Sequence, residues 1–330
     1  MRYQSVLTQA PLRISFIGGG TDINYFYKST SGKVVSAAIN KYVYVHIKNH
    51  DPLFQERYRI SYSEVEHTQS RSEIKNLIVK SCLELLNMDE PLQISTSADL
   101  PTSSGLGSSS SFTVALLLAL HQMGGKSVSP AQLAEEAAHV EINMLKSPIG
   151  KQDQYAAAFG GLNYYEFLSD ESVKIQPLLI PKSQSVSLLS NSLLLWTGEI
   201  RSATRVLQDQ EKNYSLNEIN LIYLTKLVDE FKSILLDKEG ELKVIGHIIT
   251  SGWEIKESLS NLISTSQIQE IISEIKVQKC LGYKLLGAGG GGFVYALFDD
   301  SSDKFINKFP TRRSFIPKLD NLGARVVSSN

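Results

Sequence analysis

A short segment rich in glycine and serine constrains the fold of this chain more than any other feature of its sequence. It spans residues 101–110, Pro-Thr-Ser-Ser-Gly-Leu-Gly-Ser-Ser-Ser, and lies between a predicted strand at 92–96 and a predicted buried helix at 109–123. Glycines allow positive φ and close approach to a ligand, and the first turn of a helix leaves backbone amides unpaired. The segment therefore predicts a phosphate-binding turn, favoured by the helix dipole. A serine-rich helix start after a flexible turn is the alternative.

The spacing of this segment differs from that of two common phosphate-binding loops. No Gly-Lys-Ser or Gly-Lys-Thr follows its glycines, and their intervals do not match G-x-G-x-x-G. The sequence thus argues against a P-loop enzyme and against a nicotinamide oxidoreductase of the Rossmann type.

Two further glycine runs are present, at 18–20 and at 287–292. Four consecutive glycines exceed what a hairpin turn needs, so the second run predicts close approach to a ligand or to another backbone. The first run places Asp22 just past a turn, where its carboxylate would accept hydrogen bonds from substrate hydroxyls. A turn with a capping aspartate is the other interpretation of the first run.

Two acidic residues lie between these runs. In a predicted helix at 129–146, Glu141 falls on the same apolar stripe as Leu133 and Ala137. A buried carboxylate is costly without a partner, and either Mg²⁺ or a buried salt bridge would provide one. Asp153 follows the proline and glycine that end this helix, where it could orient or deprotonate a hydroxyl nucleophile.

Composition limits the class of protein and its location. The 33 basic residues nearly cancel the 34 acidic ones, so no net field attracts nucleic acid or an anionic membrane. The longest apolar run, residues 114–120, is too short to span a bilayer. Polar residues interrupt the N-terminal segment where a secretory signal would need an apolar core, so we expect a cytoplasmic protein. Cys82 and Cys280 lack zinc-site spacing and are expected as reduced thiols.

The order of predicted elements indicates an α+β protein. In the first half, strands are expected at 13–17, 34–47, 57–62, 92–96, 162–167 and 173–179, and helices at 72–86, 109–123 and 129–146. In the second half, helices are expected at 202–211, 217–236, 241–259 and 267–281, and strands at 193–196, 283–286 and 293–298. A length of 330 residues favours two domains, 1–180 and 181–330, with the boundary near 176–185.

These motifs together resemble those of the GHMP kinases, the superfamily of galactokinase, homoserine kinase and mevalonate kinase. The resemblance rests on residues 10–22, on the loop at 101–110 and on the run at 287–292, in that order, with Glu141 and Asp153 between the last two. The strings at 13–22 and 149–163 are most similar to those of bacterial D-glycero-D-manno-heptose 7-phosphate kinases. Fucose kinase domains share the first string and match the second less well.

The resemblance implies a fold and a set of roles. The fold would be the two-domain GHMP kinase fold, with an N-terminal domain like ribosomal protein S5 domain 2, a ferredoxin-like C-terminal domain, and ATP between them. Asp153 would be the catalytic acid/base beside Arg13, and Ser109 and Glu141 would hold Mg²⁺. The residues expected around ATP are Pro101, Ser104, Gly105, Leu106, Gly107, Ser108, Ser109 and Ser110. Those expected around the sugar are Gly19, Gly20, Thr21, Asp22, Lys151, Gln152, Arg201, Gly289 and Gly290.

Two details of the resemblance concern specificity. Residues 101–104 are Pro-Thr-Ser-Ser where the family pattern is Pro-Pro-Gly-Ser, which predicts a less flexible approach to Gly105. A phosphorylated sugar would also need a cationic anchor. Arg201 and Arg205 share one predicted helix face at i, i+4 spacing, and Lys151 is the other candidate. A solvated helix face is the alternative interpretation of the two arginines.

The sequence thus predicts an ATP-dependent kinase that phosphorylates the anomeric hydroxyl of a heptose 7-phosphate. A kinase of an unphosphorylated sugar such as fucose and a non-catalytic sensor of sugar and nucleotide are the alternatives. The expected partners are the sugar phosphate and ATP, without nucleic acid or membrane, and the oligomeric state is open, a homodimer included. The six histidines form no sequence cluster and are expected to be solvated or satisfied.

Overall fold

A long antiparallel pair of strands organises the first half of the chain. In the computed structural model, which describes residues 3–180, 187–200, 203–237 and 240–330, β1 (Ser5–Ile17) pairs with β2 (Gly32–Asn49). A short helix, α1 (Asn24–Tyr27), lies in their connection. The length of β2 lets it pair with two more strands, β6 (Leu162–Phe167) along residues 32–37 and β5 (Leu92–Ala98) along residues 43–49.

The remaining strands of this sheet extend it at its edges. β3 (Tyr58–Ser61) runs parallel to β5, and β4 (Val65–Thr68) pairs antiparallel with β3. β7 (Val173–Pro177), within the strand predicted at 173–179, pairs antiparallel with β6. On the opposite edge, β12 (Arg325–Ser329) pairs with β1. The first sheet therefore contains a strand from the segment 181–330, which the sequence assigned as a whole to a second domain.

Helices cover this sheet, and three predicted site residues, Ser109, Glu141 and Asp153, lie on them. They are α2 (Leu77–Leu85), α3 (Ser108–Met123), α4 (Pro130–Ala138), which continues into a π-helical turn (His139–Met144), and α5 (Gln152–Phe159). α3 is buried along most of its length, as its apolar sequence predicts. α4 begins as predicted, because the Ser129 side chain accepts a hydrogen bond from the Gln132 amide and Pro130 stands in the first turn.

A second antiparallel sheet has the order β11 (Ser314–Phe315), β8 (Ser192–Trp196), β10 (Phe293–Leu297), β9 (Gly282–Leu285). The helices beside it are α6 (Ala203–Lys212), α7 (Tyr214–Leu236), α8 (Leu242–Ser258) and α9 (Ser266–Val277). The ring of Phe16 lies 6.1 Å from that of Phe231 and 5.6 Å from that of Tyr295, so β1, α7 and β10 share one core. Within the described ranges, no helix combines the length and apolar character needed to cross a membrane.

The α+β fold is confirmed, and the differences from the sequence predictions have physical reasons. β1 begins eight residues before the predicted start at residue 13, because the buried Thr8 hydroxyl donates to the carbonyl of Ala115 and so fits a core strand. α1, α5, β4, β11 and β12 were not predicted, nor were the short 3₁₀ turns Arg71–Glu73, Ser302–Lys304 and Ile306–Lys308. The domain bounds 1–180 and 181–330 stay a prediction.

Two glycine loops touch where the first sheet meets the second. Gly105 and Gly287 have φ of 80° and 82°. A Cβ on Gly105 would lie 2.4 Å from the carbonyl oxygen of Leu286, and one on Gly287 would lie 2.5 Å from the Cα of Gly105. The run at 287–292 therefore approaches another backbone, which is one of the two roles its composition predicts.

This contact predicts a larger loss of stability for Gly105→Ala than for Gly198→Ala. Gly198 has a similar φ of 82°, but a Cβ there would meet no atom within 4 Å. Both alanines lose about 1–2 kcal/mol from the left-handed backbone. Only Gly105→Ala adds overlap with Leu286. Urea unfolding at pH 7 measures both free energies, and equal losses would contradict a tight contact between the loops.

Candidate active site

The three glycine segments surround one cavity of about 340 Å³, a size that suits a small polar ligand. Elements of both sheets contribute to its wall. The predicted site residues that line it are Arg13, Gly19, Gly20, Asp22, Gly105, Gly107, Ser108, Ser109, Ser110, Glu141, Gln152, Asp153 and Gly289. Residues distant in sequence thus meet at one place.

The loop between β5 and α3 forms one side of this cavity. Gly107 caps α3 in the left-handed region, with φ of 78°, and the helix begins at Ser108 with its first-turn amides free of intrahelical partners. Ser103 also has a positive φ, 57°, at the position where the family pattern has glycine. The left-handed conformation costs a serine about 1–2 kcal/mol. The departure from the family pattern therefore places a strained residue in this turn. The helix dipole and the amides make this end of α3 attractive to phosphate.

Arg13 and Asp153 form a bidentate ion pair beside this loop. Nε and Nη2 of Arg13 donate to the two carboxylate oxygens of Asp153 over 2.7 and 2.8 Å. The third guanidinium nitrogen, Nη1, donates to the carbonyl oxygen of Gly105 over 2.7 Å. Gly107 has no side chain to obstruct the pair, since a Cβ there would lie 3.2 Å from Asp153 Oδ2. Asp153 is therefore held in one orientation at the mouth of the loop.

Glu141 lies in the π-helical turn after α4 and is only 2% exposed. Its carboxylate accepts hydrogen bonds from Ser109 Oγ over 2.8 Å and from Gln154 Nε2 over 2.6 Å. Burial raises the pKa of Glu141, while the hydroxyls of Ser110 and Ser109 oppose the rise. Among the described residues, no group of three or more His, Cys, Asp or Glu side chains gathers into a metal site. Glu141 and Ser109 fit a Mg²⁺ that takes its other oxygens from phosphates and water.

Asp22 projects into the other side of the cavity from the turn after β1. Its Oδ1 accepts from the Gly20 amide over 2.9 Å and from Gln152 Nε2 over 3.0 Å, and its Oδ2 accepts from the Gln152 amide over 3.2 Å. Burial raises the pKa of Asp22 despite these hydrogen bonds, and the charge of Asp153 adds to the rise. Gly150 is needed here, because a Cβ on it would lie 1.9 Å from Asp22 Oδ2.

Two lysines from the second half also line the cavity, and the sequence did not single them out. Lys256 Nζ on α8 donates to the carbonyl of Gly287 over 2.7 Å. Lys284 Nζ on β9 donates to the carbonyls of Ser15 and Phe16 over 2.7 and 3.1 Å. Burial lowers the pKa of Lys256 to about 8 and lowers that of Lys284 well below its usual range. The charges of Lys256 and Arg13 lower the pKa of Lys284 further.

A sequence signal for Lys256 exists, although none stands out for Lys284. Lys256 follows the buried residues Ile245, Ile249 and Gly252 at i+4 and i+3 spacing, so it continues the buried stripe of α8. The same stripe argument identified Glu141 in the sequence. Lys284 lies in a strand whose four residues are all buried. Both faces of this strand are therefore buried, and the alternation of side chains does not distinguish Lys284 from its neighbours.

Several residues that were predicted to contact ATP or the sugar do not line the cavity. Pro101 is exposed, and Ser104 and Leu106 are buried beneath the loop, where the Leu106 carbonyl accepts from the Arg13 amide. Thr21 donates its hydroxyl to the carbonyls of Gly18 and Lys33. The Gly290 amide donates to Ile263, so this glycine positions the loop.

The cationic anchors proposed for a sugar phosphate do not line the cavity in the described part of the chain. Lys151 Nζ donates to the carbonyl of Glu171, lies 4.0 Å from Glu135 and sits over the ring of Tyr27. Arg205 is exposed and lines a separate groove beside α6. Arg201 lies outside the described residues.

Removal of the Lys256 charge is predicted to stabilise the protein. Because the folded pKa of about 8 lies below the usual 10.5, the charged form is penalised on folding. Stability of the wild type should therefore rise with pH between about 8 and 10.5. Lys256→Met should raise the free energy of unfolding at pH 7 by about 1–3 kcal/mol and reduce this rise, to which Lys284 also contributes. Urea unfolding from pH 7 to 10 measures both effects.

Lys243→Met is the matched control, since Lys243 is exposed on the same helix. It should leave both stability and its pH dependence unchanged. A loss of stability in Lys256→Met would contradict a net penalty on the buried ammonium.

Comparison with known proteins agrees with this geometry. The family GHMP kinases N terminal domain matches residues 76–161, and the family GHMP kinases C terminal matches residues 230–312. The chain is 29% identical to D-glycero-alpha-D-manno-heptose 7-phosphate kinase of Campylobacter jejuni, over 92% of this chain and 91% of the relative. It is 25% identical to galactokinase of Pyrococcus furiosus, over 91% of each chain.

A solved structure has the same fold. The D-glycero-D-manno-heptose 1-phosphate kinase from Bacteroides thetaiotaomicron superposes with a TM-score of 0.77 at 23% identity, covering 98% of this chain and 99% of that one. The two family matches lie on either side of the cavity, whose wall takes Glu141 from the first and Lys256 from the second. The chain thus belongs to the GHMP kinases and is an ATP-dependent kinase.

Proposed function

We propose that this kinase transfers the γ-phosphoryl group of ATP to the anomeric hydroxyl of a heptose 7-phosphate, giving a heptose 1,7-bisphosphate. The observation that carries the reaction type is the Arg13–Asp153 ion pair, which faces the same cavity as the phosphate loop and Asp22. The likeness to the heptose 7-phosphate kinase of C. jejuni over nine-tenths of both chains supports this class of substrate.

The nucleotide end of the proposed complex is the start of α3. Amides and hydroxyls of Ser108, Ser109 and Ser110 would bind the ATP phosphates, where the helix dipole favours anions. Ser109 and Glu141 would hold Mg²⁺, which when bound neutralises charge on the phosphates. Burial raises the pKa of Glu141, and a bound cation would favour its charged form.

The acceptor end is formed by Asp22 and Asp153. Asp22 would accept hydrogen bonds from sugar hydroxyls, since Gly20 and Gln152 fix both of its oxygens. Asp153 would take the proton of the anomeric hydroxyl while the oxygen of that hydroxyl forms a bond to the γ-phosphorus. The bond from that phosphorus to the bridging oxygen breaks at the same time, and ADP leaves with the electron pair. Arg13 holds both oxygens of the Asp153 carboxylate in orientation for this transfer.

Loss of the Asp153 carboxylate should abolish most turnover while ATP still binds. Asp153→Asn removes the proton acceptor, and the expected fall in kcat is about 10²- to 10⁴-fold. Coupled ADP-release kinetics measure kcat, and calorimetry measures affinity for an ATP analogue. Asp303→Asn, an exposed change outside the cavity wall, should behave as wild type. Near-normal kcat in Asp153→Asn would remove Asp153 from the mechanism.

The choice of acceptor is tested by a panel of sugars. Heptose 7-phosphate, heptose, fucose and galactose are assayed side by side for ADP release with Mg²⁺, and the first should give the highest kcat/KM. Fucose or galactose as the best substrate would replace the proposed acceptor with an unphosphorylated sugar. Nucleotide binding without phosphoryl transfer to any sugar would favour a sensor.

A further inference from the structure

Lys256 is a half-buried cation that the mechanism above leaves without a role. It lies on α8, in the second half of the chain, and its ammonium reaches the cavity between the two glycine loops. The folded state pays for this position, because burial lowers the pKa of Lys256 to about 8. An anionic ligand in contact with this ammonium would favour its charged form.

The hydrogen bonding of Lys256 leaves room for that partner. An ammonium has three donors, and one of them goes to the carbonyl of Gly287 over 2.7 Å. No carboxylate of the described residues lies within ion-pair distance of Nζ. Arg13, by contrast, is neutralised by Asp153, and Lys284 donates to two carbonyls. Among the cations of the described wall, Lys256 keeps two donors unused and Lys284 keeps one, and the acids Asp22 and Asp153 act on Lys256 from beyond ion-pair distance.

The position of Lys256 lies between the donor and acceptor sides of the cavity. Its partner Gly287 packs against Gly105, whose carbonyl accepts from Arg13, the residue that holds Asp153. On the other side, a Cβ built on Gly19 would lie 3.6 Å from Lys256 Nζ. That same point is 3.4 Å from Gln152 Nε2, which donates to Asp22. Lys256 is therefore placed where a transferred phosphoryl group would lie between loop and acceptor.

We propose that the Lys256 ammonium binds the nonbridging oxygens of the ATP γ-phosphoryl group. This inference rests on the proposed function for the placement of ATP, and it does not depend on the identity of the sugar. It makes the second half of the chain a direct contributor to phosphoryl transfer. An ammonium there stabilises negative charge on the equatorial oxygens as the group moves.

The test compares affinity for two Mg²⁺ nucleotides without any sugar. Calorimetry gives Kd for ADP and for the imido analogue of ATP, which carries a γ-phosphoryl group. Lys256→Met should weaken binding of the analogue by about tenfold or more and that of ADP by less than about twofold. Lys256→Arg keeps the charge and should retain most of the preference for the analogue. Lys243→Met, on the exposed face of α8, should match the wild type.

The outcomes are separable. Equal losses for both nucleotides, or no loss for either, would overturn the assignment, as would an effect on sugar KM alone. If the sugar panel returned no substrate, a selective loss of analogue binding in Lys256→Met would still support the role of Lys256. If the panel identified a substrate but Lys256→Met bound both nucleotides like the wild type, only the role of Lys256 would be lost. Thermal unfolding of each variant confirms that the folded protein is being compared.

A second readout uses pH and needs no methionine variant. The charged groups near Lys256 are Asp22, Asp153, Arg13 and Lys284, of which the two acids favour its charge and the two cations oppose it. Above a pH of about 8 the free enzyme loses the Lys256 proton, so the preference of the wild type for the analogue should decline relative to Lys256→Arg. Parallel pH profiles in the two proteins would contradict the proposal.

Discussion

The backbone contact between Gly105 and Gly287 is the constraint on which the cavity depends. It brings the loop before α3 against the loop after β9, and neither position has room for a Cβ. Arg13 is tied to the same point through the Gly105 carbonyl, and Lys256 is tied to it through the Gly287 carbonyl. One glycine pair thus sets the distance between the phosphate loop, the Arg13–Asp153 pair and the lysine contributed by α8.

The charges around the cavity are arranged at a cost to the folded state. Asp22 and Glu141 are buried acids with raised pKa values, and the half-buried Lys256 and the buried Lys284 are amines with lowered ones. Each shift means that burial disfavours the charged form. Phosphoryl transfer needs positioned charges more than covalent chemistry, so a set of charges held in place by hydrogen bonds suits that reaction. Charged groups whose burial lowers the stability of the folded state are expected at a site that binds ligands.

The sequence predicted the parts of the structure that depend on local pattern. Apolar periodicity located most helices and strands, and the stripe argument on Glu141 identified a buried acid that the structure places beside Ser109. Non-local features were not predictable in this way. Nothing near residues 325–329 indicates that they pair with β1. The helix α5 was missed because a proline and a glycine just before it suggested only a turn, yet its first turn carries Asp153.

The pairing of β12 with β1 has a consequence for how the chain folds. β1 is made early, but its outer edge has no partner until Arg325–Ser329 has been synthesised. An unpaired edge can recruit strands from other chains. Until residues 325–329 have been synthesised, the first sheet would therefore expose this edge to strands of neighbouring nascent polypeptides. The outer edge of β1 is thus covered only after every strand of the second sheet described here has been translated.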